Sequence, residues 1–299
     1  MCSIPRNIPY TIERLEALKN RLPINHPKRS KVEADYRILQ SKHKTWRQLS
    51  RILTPFVSTR CHVLHNIDLT IDNQAFHIDT LMISSQFLLL IDLKNQQADQ
   101  SRLFFLFRET LLKKWLKQLH LSHIPMTTIL VANTKQDHCD QSILISEVSP
   151  YIETLQHHYE KRQLSAHQCQ ILKQWFIDHH TPDTRTILDQ YKIDSEDLTT
   201  GVSCPSCSSY PMTRLHGRWQ CPQCGFISHQ AHMTAIRDYG LLINETITNK
   251  ELRQFLHLSS RFTTKRIIDR INAAQTGTYN GSTYNLNVVL TRQNPIKRA

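Results

Sequence analysis

The 299 residues carry 37 Lys and Arg against 25 Asp and Glu, a formal charge of +12 with a sequence pI of about 9.4. That length suffices for two domains, or for one domain with small modules attached. The longest apolar runs, Phe87 to Ile91 and Leu103 to Phe107, are far too short to span a bilayer, and residues 1–10 contain two prolines and no apolar leader, so a cytoplasmic protein without membrane association is expected.

The charge is unevenly placed. Residues 1–60 hold 13 basic against 4 acidic side chains, residues 61–224 hold 14 against 17, and residues 225–299 hold 10 against 4. Basic ends around a mildly acidic middle suit a polyanion partner, and nucleic acid is the commonest one. A basic surface with no specific partner fits the same composition.

In chain order, residues 31–53 place Val32, Tyr36, Leu39, Trp46, Leu49 and Leu53 at helical spacing with Lys and Arg opposite, which predicts one helix, with a break allowed. Cys61 to Ile71, Phe76 to Ile83 and Phe87 to Leu93 read as strands, and the short Ser84-Ser85-Gln86 connection folds the last two into a hairpin. Period-two alternation puts Asp92 and Lys94 on one face, and the hairpin brings Asp79 towards Asp92. Two carboxylates from adjacent strands make an oxygen-rich site for Mg²⁺, with Lys94 able to orient water or stabilise developing charge. An ordinary Asp92–Lys94 ion pair at a strand end accounts for the same pattern.

Residues 101–120 predict an amphipathic helix with Phe104, Phe107, Leu111 and Trp115 on its buried stripe, and Met126 to Ala132 predicts a further strand parallel to its neighbour across that crossover. Residues 150–200 read as helical and polar, with His157, His158, His167, His179 and His180 on solvated faces. The six glycines form no phosphate-binding loop.

Cys204-Pro205-Ser206-Cys207 and Cys221-Pro222-Gln223-Cys224 form two Cys-x-x-Cys knuckles with 13 residues between the inner cysteines. Four thiolates complete a closed tetrahedral Zn²⁺ shell, so the ion's role is structural. The other four cysteines, Cys2, Cys61, Cys139 and Cys169, are scattered, which suits a reducing compartment better than a disulfide framework. Residues 212–220 predict a hairpin bearing Arg214, His216, Arg218 and Trp219, available to nucleic acid through charge and stacking, although Trp219 serves equally well as a small core.

Thr248 and Glu251 spell a capping box for a helix with Leu252, Phe255 and Leu256 on its apolar face. Leu258-Ser259-Ser260 reads as a turn, Phe262, Ile267, Ile268 and Ile271 mark a basic second helix, and Asn280-Gly281 suits a hairpin turn. Two short helices and a hairpin describe either a helix-turn-helix-like module with a wing or a small helical packing module.

The runs His65-Asn66-Ile67-Asp68-Leu69, Phe76-His77-Ile78-Asp79-Thr80-Leu81 and Leu90-Ile91-Asp92-Leu93-Lys94-Asn95, with Arg21-Leu22-Pro23-Ile24-Asn25-His26-Pro27 before them and the ribbon and tail after them, resemble the NERD (nuclease-related domain) family of Bacillus type. The resemblance implies an α/β fold: a restriction-endonuclease-like PD-(D/E)xK mixed sheet with flanking helices, plus a four-cysteine zinc ribbon and a small C-terminal helix-turn-helix-like module of winged-helix type. It implies residues 1–30 as lead-in, 31–135 as nuclease-related domain, 136–200 as helical connector, 201–230 as ribbon and 231–299 as winged-helix-like module. Asp79 and Asp92 then match the Mg²⁺-binding acids and Lys94 the lysine of a phosphodiester-hydrolysing site, with nucleic acid, DNA more than RNA, as partner. The chain departs from the family at Lys44-Thr45, where a Gly-Glu pair is usual, unless Glu33 or Asp35 substitutes, and at Arg108-Glu109-Thr110, where a glutamine is expected. These departures keep open a catalytically degenerate protein that binds DNA or RNA through its zinc module, or a protein-interaction scaffold.

Overall fold

A computed structural model of the chain describes residues 8–71, 73–94, 102–132, 142–181, 183–278 and 281–290, without the side chains of 8, 9 and 102–105. Asn95, the segment 96–101, Cys2, Cys139 and Asn280 lie outside the described residues. The chain divides into two compact units, residues 1–9 with 37–184 and residues 10–36 with 185–299. This division differs from the expected succession of modules, because the lead-in helix belongs with the C-terminal half.

The first unit is a mixed five-stranded sheet in the order β1 (Cys61–Ile71), β2 (Gln74–Ser84), β3 (Leu88–Leu93), β4 (Met126–Ala132), β5 (Ser142–Leu144). β1, β2 and β3 pair antiparallel, while β3, β4 and the unanticipated short β5 pair parallel. All six residues of β3 are buried, as expected for a central strand covered on both faces. Helix α2 (Arg29–Leu53, residues 29–36 outside this unit) runs unbroken for 25 residues, and α3 (Arg102–Gln118) forms the crossover between the parallel neighbours β3 and β4. Helices α4 (Val148–His158) and α5 (Ala166–Asp178) follow, α5 packing on β1 and β2.

The buried stripe of α3 differs from the expected one. Phe107 is 45% exposed, whereas Arg108, Leu111, Leu112, Trp115 and Leu116 are buried. These five recur at spacings of three and four, a normal core-facing stripe that begins with an arginine. Leu111, Leu112, Trp115 and Leu116 join Leu64, Ile67, Ile78, Leu81 and Phe176 in one core.

The second unit begins with α1 (Ile8–Arg21, its first two residues outside the unit) and contains α6 (Ile187–Tyr191), the ribbon strands β6 (Thr213–Leu215), β7 (Arg218–Gln220) and β8 (Ile227–Ser228), and a compact C-terminal set. That set runs α7 (His232–Leu242), β9 (Thr246–Thr248), α8 (Asn249–Phe255), α9 (Arg261–Ile271), β10 (Gln275–Thr276), β11 (Thr283–Asn285) and α10 (Asn287–Leu290). β11 lies between β10 and β9, antiparallel to both. The capping box forms as its sequence requires: Glu251 N–H donates to Thr248 Oγ1 at 3.2 Å, and Thr248 N–H donates to Glu251 Oε2 at 2.7 Å. Phe262 is 79% exposed and takes no part in the core; Thr264, Ile267, Ile268 and Ile271 form the buried face of α9 instead.

A buried ion pair ties this unit together. Arg21, at the end of α1, donates from Nε to Asp238 Oδ2 on α7 at 2.8 Å and from Nη1 to the carbonyls of Thr199 and Gly201 at 3.0 and 2.8 Å. Its guanidinium also lies over the rings of Tyr210 and Phe255. Three acceptors and two aromatic faces compensate an arginine with no exposed surface.

Candidate functional sites: a buried carboxylate pair and a four-cysteine centre

Antiparallel pairing of β2 with β3 sets Thr80 opposite Ile91, and one further step in that register brings Asp79 opposite Asp92. Both acids are 3% exposed. Like charges directly across a strand pair repel, and each costs several kcal/mol to bury unpaired, so the fold needs cations here.

It supplies three. Arg108 of α3, itself 3% exposed, grips Asp92 with both ends of its fork: Nη1 reaches Oδ1 at 3.1 Å and Nη2 makes a close contact with Oδ2. Nη1 also donates to the His77 carbonyl at 2.7 Å. Burial lowers the Arg108 pKa to about 10, with the charges of Asp79 and Glu109 opposing the shift, so the group stays cationic at neutral pH. Asp79 accepts from the Leu93 amide at 2.9 Å, approaches Lys42 Nζ of α2 at 3.6 Å and meets His77 Nε2 at 3.1 Å. His77 in turn contacts Asp68 through Nδ1 at 2.8 Å. Burial opposes charge on this imidazole, yet hydrogen bonds to Asp68 and Asp79 prevail and raise it to about 9. Burial likewise opposes charge on Asp79, and His77, Lys42 and the Leu93 amide overcome it, holding the carboxyl below its usual range.

The structure therefore brings Asp79 and Asp92 together and places Lys94 directly after β3, partly exposed, with its amide bonded to the Val131 carbonyl at 2.9 Å. The cations that sequence reasoning missed are Lys42, His77 and Arg108. Arg108 had a legible signal, its place at the head of a stripe spaced by threes and fours. Glu33 and Asp35 are engaged elsewhere, Glu33 with Arg29 at 2.9 Å and Asp35 with the Tyr191 hydroxyl at 2.6 Å. Helix α2 thus presents an ammonium, not a third carboxylate, to Asp79.

As arranged, these residues do not fit a hydrated divalent ion. Mg²⁺ asks for oxygen ligands at ~2.0–2.1 Å. Both oxygens of Asp92 face a guanidinium, and each oxygen of Asp79 already has a donor. A divalent ion entering here would also sit beside Arg108.

The four cysteines present the opposite picture. The Sγ atoms of Cys204, Cys207, Cys221 and Cys224 all lie within 4.8 Å of one another, and Cys204–Cys224 and Cys207–Cys221 are each 3.6 Å apart. Tetrahedral Zn–S bonds of ~2.3 Å imply S···S separations of roughly 3.8 Å, while a disulfide needs ~2.05 Å, so the cluster fits zinc and not a cystine pair.

The two knuckles are built alike. Cys204 donates to the Ser209 carbonyl and accepts from Ser208 N–H, both at 2.9 Å; Cys221 does the same with Phe226 and Gly225, at 2.9 and 3.0 Å. Ser208 (φ 59°) and Gly225 (φ 73°) occupy the same left-handed position of each turn. The Ser209 hydroxyl, 3.0 Å from Cys207 Sγ and 3.1 Å from Cys221 Sγ, is the main cause that draws both thiols below their ordinary range, Cys221 to about 6. Cys224 moves the other way: the bond from the Phe226 amide lowers it, yet hydrogen bonds to Cys207, Cys204 and Cys221 together with burial outweigh that and push it up to about 12, so the spacing of the four sulfurs is what points to a metal.

His216 (φ 47°) and Gly217 (φ 85°) make the two-residue turn joining β6 and β7, with positive φ at both central positions as a right-twisted hairpin prefers. Trp219 resolves the alternative left open by its sequence: it is 1% exposed and belongs to the core of the second unit, its Nε1 donating to His232 Nδ1 at 3.0 Å.

No helix among the described residues is long and apolar enough to cross a membrane. In comparisons with protein-family models, curated proteins and solved structures, no match to this chain was found.

Proposed function

We propose that this protein binds nucleic acid, DNA more than RNA, through a zinc-stabilised C-terminal unit, and that its nuclease-like first unit is a catalytically degenerate relative of the NERD family. The observation that carries the binding half is the order of the C-terminal elements. A helix, a strand, two helices and a two-stranded return, with the last strand central in the sheet, is the connectivity of a winged helix-turn-helix, in which the second helix of the pair enters the major groove. That helix is α9, and it exposes Arg261, Arg266 and Arg270. The overall +12 charge favours the same partner.

The degenerate half rests on Arg108. In a metal-dependent hydrolase of this resemblance, Asp79 and Asp92 would hold Mg²⁺ and Lys94 would assist water. Here a guanidinium already holds both oxygens of Asp92, which balances that carboxylate's charge without an ion.

The test is purified, zinc-loaded full chain on labelled single- and double-stranded DNA and RNA over graded salt, with Mg²⁺, Mn²⁺ or EDTA. Expected are binding that weakens steeply with salt and no cleavage. Absence of binding at low salt refutes the first half; metal-dependent cleavage lost in Asp92→Ala refutes the second and restores the hydrolase reading.

A further inference from the structure

Arg37, Lys44, Arg47 and Arg51 are all exposed and fall within one ~80° arc of α2, on the side away from the buried Trp46, Leu49 and Leu53. Lys44, Arg47 and Arg51 have no ion-pair partner among the described residues. None can form locally, because the chain between Asp35 and Asp68 holds six Lys and Arg and no acid. Three other helical cations are matched one turn away: Arg29 by Glu33 at 2.9 Å, Lys113 by Glu109 at 3.7 Å and Lys265 by Asp269 at 2.9 Å. Along α2, by contrast, Lys44 precedes Arg47 by three positions and Arg51 follows it by four. Like charges at these spacings repel and destabilise a helix. Folding gains nothing from such a row, so its use lies in what it faces.

Lys44 to Arg51 spans ~10 Å of helix axis. One strand of a DNA duplex presents about three phosphates over that length. Gln40, Ser41 and Gln48, exposed in or beside the same arc, add hydrogen-bonding side chains and no apolar anchor. Phosphate contacts need charge and donors alone, whereas a protein partner needs a buried aromatic or aliphatic anchor. A lipid surface is the weaker candidate, because the apolar side of α2 is buried and has nothing to insert among acyl chains.

We propose that this face of α2, through Lys44, Arg47 and Arg51, is a nucleic-acid backbone surface on the first unit, holding successive phosphates of a duplex without reading its sequence. It rests on the nucleic-acid reading given above, and it adds a binding surface to the unit whose carboxylate pair is closed.

The experiment measures affinity of the zinc-loaded full chain for labelled DNA duplexes of unrelated sequence across salt. Wild type is compared with Lys44→Gln, Arg47→Gln, Arg51→Gln, the triple variant and Arg266→Gln on α9. Thermal unfolding and binding to phosphatidylserine vesicles are measured on each; Gln is close to Lys and Arg in helix propensity, so α2 is kept. One lost duplex phosphate contact reduces the slope of log affinity against log salt by ~0.9, so each single α2 variant is expected to lose about that much and the triple variant about three times as much. Arg47→Lys and Arg51→Lys keep the charge and are expected to keep the slope. The unfolding midpoint of the triple variant is expected to equal or exceed that of wild type, because repulsion along α2 is relieved. A wild-type slope in the triple variant overturns the surface, and so does a slope loss accompanied by a lower midpoint. If Arg266→Gln still lowers the slope in that case, the nucleic-acid reading stands without α2. No binding by wild type at low salt overturns both. Vesicle binding that is lost in the triple variant, with its slope on DNA unchanged, overturns the surface in favour of lipid.

Discussion

Arg108→Ala is the most informative single change, because it removes the cation that lets two opposed carboxylates stay buried. Breaking a buried pair by deleting one partner typically costs ~3–5 kcal/mol, and the lost bond to the His77 carbonyl adds roughly 1 kcal/mol. Against a total stability of ~5–15 kcal/mol, this threatens the whole first unit at neutral pH. The assay is urea denaturation of wild type, Arg108→Ala, Asp92→Asn and the double variant. The double variant should recover much of the loss, because it leaves no uncompensated charge at Asp92, giving a large coupling energy. The single variant also frees the carboxylate of Asp92, beside Asp79, for an incoming ion, so Mn²⁺ or Mg²⁺ should raise its unfolding midpoint while leaving wild type unmoved. A cost below ~1 kcal/mol would refute the closed ion pair. So would a Mg²⁺-dependent shift of the wild-type midpoint that vanishes in Asp79→Asn.

His77 gives a pH dependence of defined sign. Its folded pKa of about 9 stands above the unfolded value of ~6.5, so its contribution is full below ~6.5 and is lost as pH rises through about 9. The ring is 40% exposed although both nitrogens are engaged, so solvent screening limits the effect to ~1 kcal/mol; denaturation midpoints of the first unit should fall between pH 7 and 10, and His77→Gln should flatten that fall. The four-cysteine centre should hold one zinc per chain by metal analysis, and Cys204→Ser should lose it and lower the unfolding midpoint, because closed thiolate sites contribute directly to folding. Arg21→Ala should cost ~3–5 kcal/mol in chemical denaturation, since it strands Asp238 and two carbonyls in the second unit; a loss under ~1 kcal/mol would contradict the burial described for that pair.

Features made from local chemistry were the ones the sequence displayed. The knuckles were legible because each is a tight turn of a few residues whose spacing is set by the shell it must complete. The Thr248–Glu251 box and the strands Cys61–Ile71 and Met126–Ala132 were legible because capping and alternation act over a few residues. The aromatic positions misled. Phe107 and Phe262 look like core residues by type, yet Arg108 and Thr264 take buried places that hydrophobicity alone would assign to them. An arginine belongs in a buried stripe only where a carboxylate waits for it, and Asp92 is 16 positions away in the chain.

The sequence by itself determined the strands β1 to β4, that Asp79 and Asp92 converge, and that four thiolates can share an ion. Tertiary structure alone decided what the acids converge on. The register of β2 on β3 opposes two negative charges, and the packing of α2 and α3 brings Lys42 and Arg108 to neutralise them. It also joined residues 10–36 to residues 185–299, through contacts such as Arg21 to Asp238 across 217 positions. No local pattern encodes such pairings, because a buried charge is stabilised by whichever partner the fold brings near it, at any distance along the chain.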